Sequence, residues 1–155
     1  MEDCIMAFYN LEEIVKLVIG WEEKLYVFYD MMEEYLKDER SRQTADLLQK
    51  KQVNALEMLR SINLQEYAHA EYVKNIPDYL SEDIMPHFEI AADSSPKEVM
   101  ETILSYEEKL EAFYTHLRDV LTFTKSKDLF DMLIQFKMGQ IKEIRACIDS
   151  CDLAI

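Results

Sequence analysis

Trp21-Glu22-Glu23-Lys24-Leu25-Tyr26-Val27-Phe28-Tyr29 and Tyr106-Glu107-Glu108-Lys109-Leu110-Glu111-Ala112-Phe113-Tyr114 are identical at six of nine positions. The likeness extends backwards in character, with Ile14, Val15, Val18 and Ile19 facing Val99, Met100, Ile103 and Leu104. Downstream, Leu47-Leu48-Gln49-Lys50-Lys51 faces Leu133-Ile134-Gln135-Phe136-Lys137, Asn54 faces Gln140, and Glu57 faces Glu143. The offset read this way is 85 residues for the first segments and 86 for the second. The extra residue is assigned to a hairpin loop, where an insertion is tolerated. An ordered run of this kind in both halves predicts a duplicated helical hairpin with pseudo-twofold symmetry.

Both copies sit in helical patterns. Leu11, Val15, Val18, Ile19, Leu25, Tyr29, Met32 and Leu36 recur at steps of three, four and seven, predicting a helix from about Ile5 to Asp38. After the polar Lys37–Ser41 break, a second helix carries Leu47, Leu48, Val53, Ala55, Met58, Leu59 and Ile62, and its pattern continues to Ile76. Pro77, Pro86 and Pro96 mark a crossover over 77–95, with a short helical piece expected around Asp83–Phe88. Ser95-Pro96-Lys97-Glu98 reads as a capped helix start, with Ser95 as N-cap and proline at the first helical position. The third helix then runs to about Val120, and the fourth, with Ser126 as N-cap, from about Lys127 to Asp149. The expectation is one all-α domain over 1–155, with repeat halves at about 5–76 and 96–149. It is a four-helix bundle of two antiparallel hairpins joined by a long crossover.

Composition agrees. The chain has 155 residues, 49% hydrophobic, with only 2 Gly and 3 Pro. Average usage would give ~11 and ~8, so turn-rich sandwiches and barrels are disfavoured. A net charge of -14 argues against a nucleic-acid partner. No uninterrupted apolar run is long enough for a membrane span. The acidic start lacks the basic segment of a secretory signal, and Cys4, Cys147 and Cys151 do not form a disulfide framework. A cytoplasmic location is expected. The i,i+4 spacing of Cys147 and Cys151 places two thiols on one helix turn, but without further ligands they read as ordinary packing cysteines.

The Glu-Glu-Lys-Leu-x-x-Phe-Tyr run on the first helix of each hairpin resembles the rubrerythrin-like branch of the ferritin-like superfamily, over about residues 11–65 and 96–148. In that family each first helix gives one metal-ligand Glu and each second helix a Glu-x-x-His pair, whose i,i+3 spacing turns both groups into the bundle core. The resemblance puts the first-helix ligands at Glu22 and Glu107. It puts the Glu-x-x-His positions at Lys51 and Asn54, and at Lys137 and Gln140. Both pairs are therefore lost. His69, His87 and His116 fall at no ligand position, and no Cys-x-x-Cys pair supplies a rubredoxin module.

Two glutamates with two lysines would be neutral, as two divalent ions are with four carboxylates. Ammonium groups could thus replace metal, with Asn54 and Gln140 taking up the remaining hydrogen bonds. The expectation is a metal-free, cofactor-free Glu/Lys network of Glu22, Lys51, Asn54, Glu107, Lys137 and Gln140, with Tyr29 and Tyr114 beside it as structural donors. No catalytic residue is assigned. The function expected is a non-enzymatic binding or interaction protein, homodimeric. The alternative is a di-iron peroxidase or ferroxidase whose rearranged iron site uses Glu22, Glu107 and Glu111. A small-molecule binder using a desolvated lysine is a third reading.

Overall fold

The computed structural model describes residues 8–67, 72–74 and 95–153. Four long helices dominate: α1 (Leu11–Tyr35), α2 (Glu39–Arg60), α3 (Pro96–Val120) and α4 (Thr124–Leu153). Each of the first three begins with a side-chain cap for an orphan backbone N–H. Asn10 Oδ1 accepts from the Glu13 N–H at 2.9 Å. Asp38 accepts from the Ser41 N–H at 3.0 Å and its hydroxyl at 2.8 Å, and Ser95 Oγ accepts from the Glu98 N–H at 3.2 Å.

The second helix is shorter than its apolar pattern suggested. It ends at Arg60, and a 3-10 turn follows at Leu64–Glu66. Asn63 accepts from the Gln65 N–H at 3.2 Å, a local bond that competes with helix continuation. Beyond it, Tyr72–Lys74 (β2) pairs antiparallel with Phe8–Asn10 (β1) in a minimal two-stranded ladder. The first helix likewise starts at Leu11, because Asn10 caps it there and Phe8–Asn10 is extended. The expected helical piece around Asp83–Phe88 lies outside the described residues.

Paired side chains fix the directions. Tyr29 meets Glu107 while Glu22 meets Tyr114, so α1 and α3 run antiparallel. Asp30 meets Gln49 and Glu23 meets Arg60, so α1 and α2 are antiparallel too. Glu108–Arg145 and Arg118–Asp131 set α4 against α3 in the same way. The end of α2 and the start of α3 therefore lie at opposite ends of the bundle.

The buried positions of the two hairpins coincide at a constant spacing of 85. Val18 and Ile103, Leu25 and Leu110, Phe28 and Phe113 are buried in α1 and α3. Ser41 and Ser126, Leu48 and Leu133, Gln52 and Lys137, Leu59 and Ile144 are buried in α2 and α4. The loops 36–38 and 121–123 are the same length, so the 86-residue offset expected for the second helices is replaced by 85. Trp21 packs edge-on against Phe113 with centroids 4.9 Å apart, closing the α1–α3 seam with aromatic carbon. Each fully buried Leu or Phe on this seam contributes about 1.5–3 kcal/mol.

Ser126 corrects a further expectation. Helix α4 starts at Thr124, so Ser126 is internal rather than an N-cap. Its hydroxyl is buried without a hydrogen-bond partner, whereas buried Ser41 bonds Asp38. Ser41→Ala is expected to lose about 1 kcal/mol of stability. Ser126→Ala is expected to be neutral or stabilising, because it removes a desolvated hydroxyl with no partner. Thermal unfolding of the two variants checks the contrast.

Candidate functional site: a buried charged network

Charged and amide side chains meet at the centre of this apolar bundle. Glu22 on α1, Glu107 on α3 and Lys137 on α4 are each 0% exposed, as is Gln52 on α2, and Gln140 on α4 is 1% exposed. Lys137 Nζ lies 2.7 Å from Glu22 Oε2, 3.0 Å from Glu107 Oε2 and 3.2 Å from Gln140 Oε1. It thus bridges the two carboxylates from between them.

Glu22 is the most heavily bonded member. Its Oε1 accepts from the Tyr114 hydroxyl at 2.7 Å, and its Oε2 accepts from both Lys137 and the Gln52 amide. The same Gln52 Nε2 also donates to the Glu22 backbone carbonyl at 2.8 Å. Gln140 Nε2 donates to Gln52 Oε1 at 2.9 Å, which closes a ring from Glu22 through Gln52, Gln140 and Lys137 back to Glu22. Glu107 is held less well. Its Oε1 accepts from Tyr29 at 2.5 Å. Its Oε2 has Lys137 at ion-pair distance but no aligned hydrogen bond.

Among the sequence candidates, Glu22, Glu107, Lys137, Gln140, Tyr29 and Tyr114 come together. Lys51 and Asn54 do not. The Lys51 side chain is 38% exposed and reaches Glu143 at 3.5 Å across the α2–α4 surface, and Asn54 is exposed. Both line an open recess of about 280 Å³ that reaches Gln140. The inward α2 position belongs to Gln52, which sequence reasoning missed. The face shared by Leu48, Gln52, Ala55 and Leu59 was the available signal. Glu111 is half-buried in a groove with Met138, Ile141 and Arg145, away from the network.

The charge balance changes accordingly. Two carboxylates face one ammonium rather than two. Burial pushes the Glu107 carboxyl above its ordinary range, Lys137 opposes that shift, and Glu22 adds to it. For Lys137, burial works against the charged form, but Glu107 and Glu22 outweigh it and hold the ammonium above its usual value. Burial, then the adjacent carboxylates, raises both Tyr29 and Tyr114 well above the ordinary phenol range. The tyrosines are therefore neutral donors at physiological pH, and the lysine is neither a base nor a nucleophile there.

Among the described residues no cluster of three or more His, Cys, Asp or Glu is arranged to hold a metal ion, and no helix is long and apolar enough to cross a membrane. Comparison with protein-family models, curated proteins and solved structures finds no match for this chain.

Proposed function

We propose that this chain is a ferritin-like bundle in which a hydrogen-bonded Glu/Lys/Gln/Tyr network has replaced a di-iron centre. On this reading it is metal-free and works as a non-enzymatic binding or interaction protein, as a homodimer. The observation that carries the reading is the position of Lys137 Nζ, 2.7 Å from Glu22 and 3.0 Å from Glu107. A cation bridging two such carboxylates would need that volume, and the ammonium there repels one. The donor set fits iron poorly as well. With the halves aligned at the constant spacing, the Glu-x-x-His positions hold Gln52 and Ala55 on α2 and Lys137 and Gln140 on α4, so none of these four positions offers a carboxylate or an imidazole. The coincident burial of the two hairpins and the reciprocal Tyr29–Glu107 and Tyr114–Glu22 bonds support an internal duplication with pseudo-twofold symmetry.

The reading is tested by restoring the ligands. The variant Gln52→Glu, Ala55→His, Lys137→Glu, Gln140→His is expected to bind about two equivalents of cobalt(II) or iron(II) per chain, following the carboxylate–histidine pattern of such bundles. The natural chain, prepared from metal-replete medium, is expected to hold substoichiometric metal by elemental analysis. Stoichiometric iron or manganese in the natural chain would overturn the proposal.

A further inference from the structure

The recess on the α2–α4 seam differs in chemistry from the rest of the surface. Lys51 and Asn54 on α2 and Gln135, Phe136, Gly139 and Gln140 on α4 enclose about 280 Å³. The chain has 31 Asp and Glu against 17 Lys and Arg, yet no carboxylate lines this recess. The groove at Glu111 also holds Asp149, and another beside Arg42 holds Glu33, Glu39 and Asp46. Lys51 and Asn54 correspond to Phe136 and Gly139 at the spacing of 85, so the recess opens where matched levels of the two helices meet. Glycine is the poorest helix former after proline, and Gly139 sits within a 30-residue helix. No neighbour demands it, because a Cβ built there meets nothing within 4 Å. The missing side chain leaves the recess unfilled.

Its floor is Gln140, 1% exposed. A carboxamide carries two N–H donors. One N–H of Gln140 donates to Gln52 Oε1 at 2.9 Å, and the other has no acceptor among the described residues. The Gln140 oxygen is taken by Lys137 at 3.2 Å. A buried amide one acceptor short therefore lines the recess. Lys137 Nζ also lies 5.5 Å from the centroid of the Phe136 ring. Two residues of the wall thus rest on the ammonium, whereas Glu22 and Glu107, on α1 and α3, line no part of it. Lys51 adds a second cation at the rim. Its 3.5 Å pair with Glu143 joins side chains that are 38% and 42% exposed, a contact that contributes little and yields readily to another anion.

We infer that this recess binds a small aromatic carboxylate. The ligand ring packs on Phe136 beside the bare Gly139 backbone. The carboxylate accepts from the spare Gln140 N–H at the floor and from the Lys51 ammonium at the rim. An acid-free wall with one cation, three carboxamides and one aromatic ring suits such a ligand and offers a cationic one no counter-charge. The site deepens the binding part of the proposed function and rests on that reading, while the metal-free centre is tested separately by metal content.

Benzoate is the test ligand, with benzamide and benzylammonium as neutral and cationic counterparts of similar size, each titrated into the isotope-labelled full chain and followed by NMR. For benzoate a dissociation constant of roughly 0.1–5 mM is expected, the range open to so small a molecule. Benzamide is expected to bind at least about 5-fold more weakly, and benzylammonium without saturation. The largest shifts should fall on the Gly139 amide and the Gln140 side-chain NH2. Lys51→Gln is expected to weaken benzoate about 5- to 10-fold and to remove most of its salt dependence. Gly139→Leu places a side chain in the recess. It is expected to weaken benzoate about 10-fold or more while raising the melting temperature by about 2–3 °C, because leucine favours helix over glycine, so the lost binding is not lost folding. No saturable benzoate binding overturns the site and leaves the metal-free centre, read by elemental analysis, untouched. Benzylammonium bound as tightly as benzoate overturns the ligand class. Benzoate binding unchanged in both variants overturns its placement in this recess.

Discussion

Lys137→Met is expected to lower stability at neutral pH by on the order of 3–5 kcal/mol, a fall of about 10–15 °C in melting temperature for a domain of this size. Methionine matches the volume of the lysine stem, so packing changes little. What changes is that Glu22 and Glu107, both 0% exposed, face each other with no cation between them. The loss should depend on pH with a definite sign. Burial already holds the Glu107 carboxyl above its ordinary range, and a carboxyl raised in this way keeps in the folded state a proton that the unfolded chain has released. Stability therefore falls as pH rises from the ordinary carboxyl range toward the raised value, and recovers on acidification. Adding Glu22→Gln and Glu107→Gln to Lys137→Met should return most of the neutral-pH loss. Urea unfolding at pH 5 and pH 8 reads both effects. A Lys137→Met protein as stable as the parent at pH 8 would mean that the ammonium does not sit between the carboxylates.

The second large effect is an asymmetry between two glutamates that the sequence makes look equivalent. Glu22→Gln is expected to cost about 2–4 kcal/mol, and Glu107→Gln less than about 1 kcal/mol. Glu22 accepts from Tyr114, Gln52 and Lys137. A glutamine there must turn an N–H toward at least one donor. Glu107 accepts one aligned hydrogen bond, from Tyr29. Its replacement leaves one carboxylate for one ammonium, and an amide that turns its oxygen to Lys137 can donate its N–H to the Tyr29 hydroxyl oxygen. The pH profile distinguishes them further. Burial raises the Glu107 carboxyl, so its ionisation costs stability as pH rises above the ordinary carboxyl range. Glu107→Gln should flatten that fall. Equal losses from the two variants, with unchanged pH slopes, would contradict the assignment.

Part of this arrangement was legible in the sequence. The resemblance set Glu22 and Glu107 on the first helices and Lys137 and Gln140 on the last, and the apolar rows around them, such as Val18 and Leu25 for Glu22 and Leu133, Ile134, Ile141 and Ile144 for Lys137, turned those positions inward. On α2 chemical likeness misled. Lys51 resembles Lys137, and pairing them required a one-residue shift that the equal loops do not contain. Burial follows geometry rather than residue type, so Gln52 holds the inward position and the site carries one lysine instead of two. The end of α2 was also hidden, because apolar residues beyond Arg60 keep a helical rhythm while Asn63 diverts the backbone locally. The exposure of Val27, Met31 and Tyr35 on α1 was hidden in turn, since in sequence such residues look like core.

The claim that matters most is that an ammonium stands where a metal would. Anomalous diffraction at the iron edge tests it, on crystals of the natural chain grown with iron(II) under anaerobic conditions. The account predicts no anomalous peak between Glu22 and Glu107, and Lys137 Nζ within about 3 Å of both carboxylates, as a bridging ion pair requires. An iron peak bridging the two glutamates, with the lysine turned aside, would contradict it.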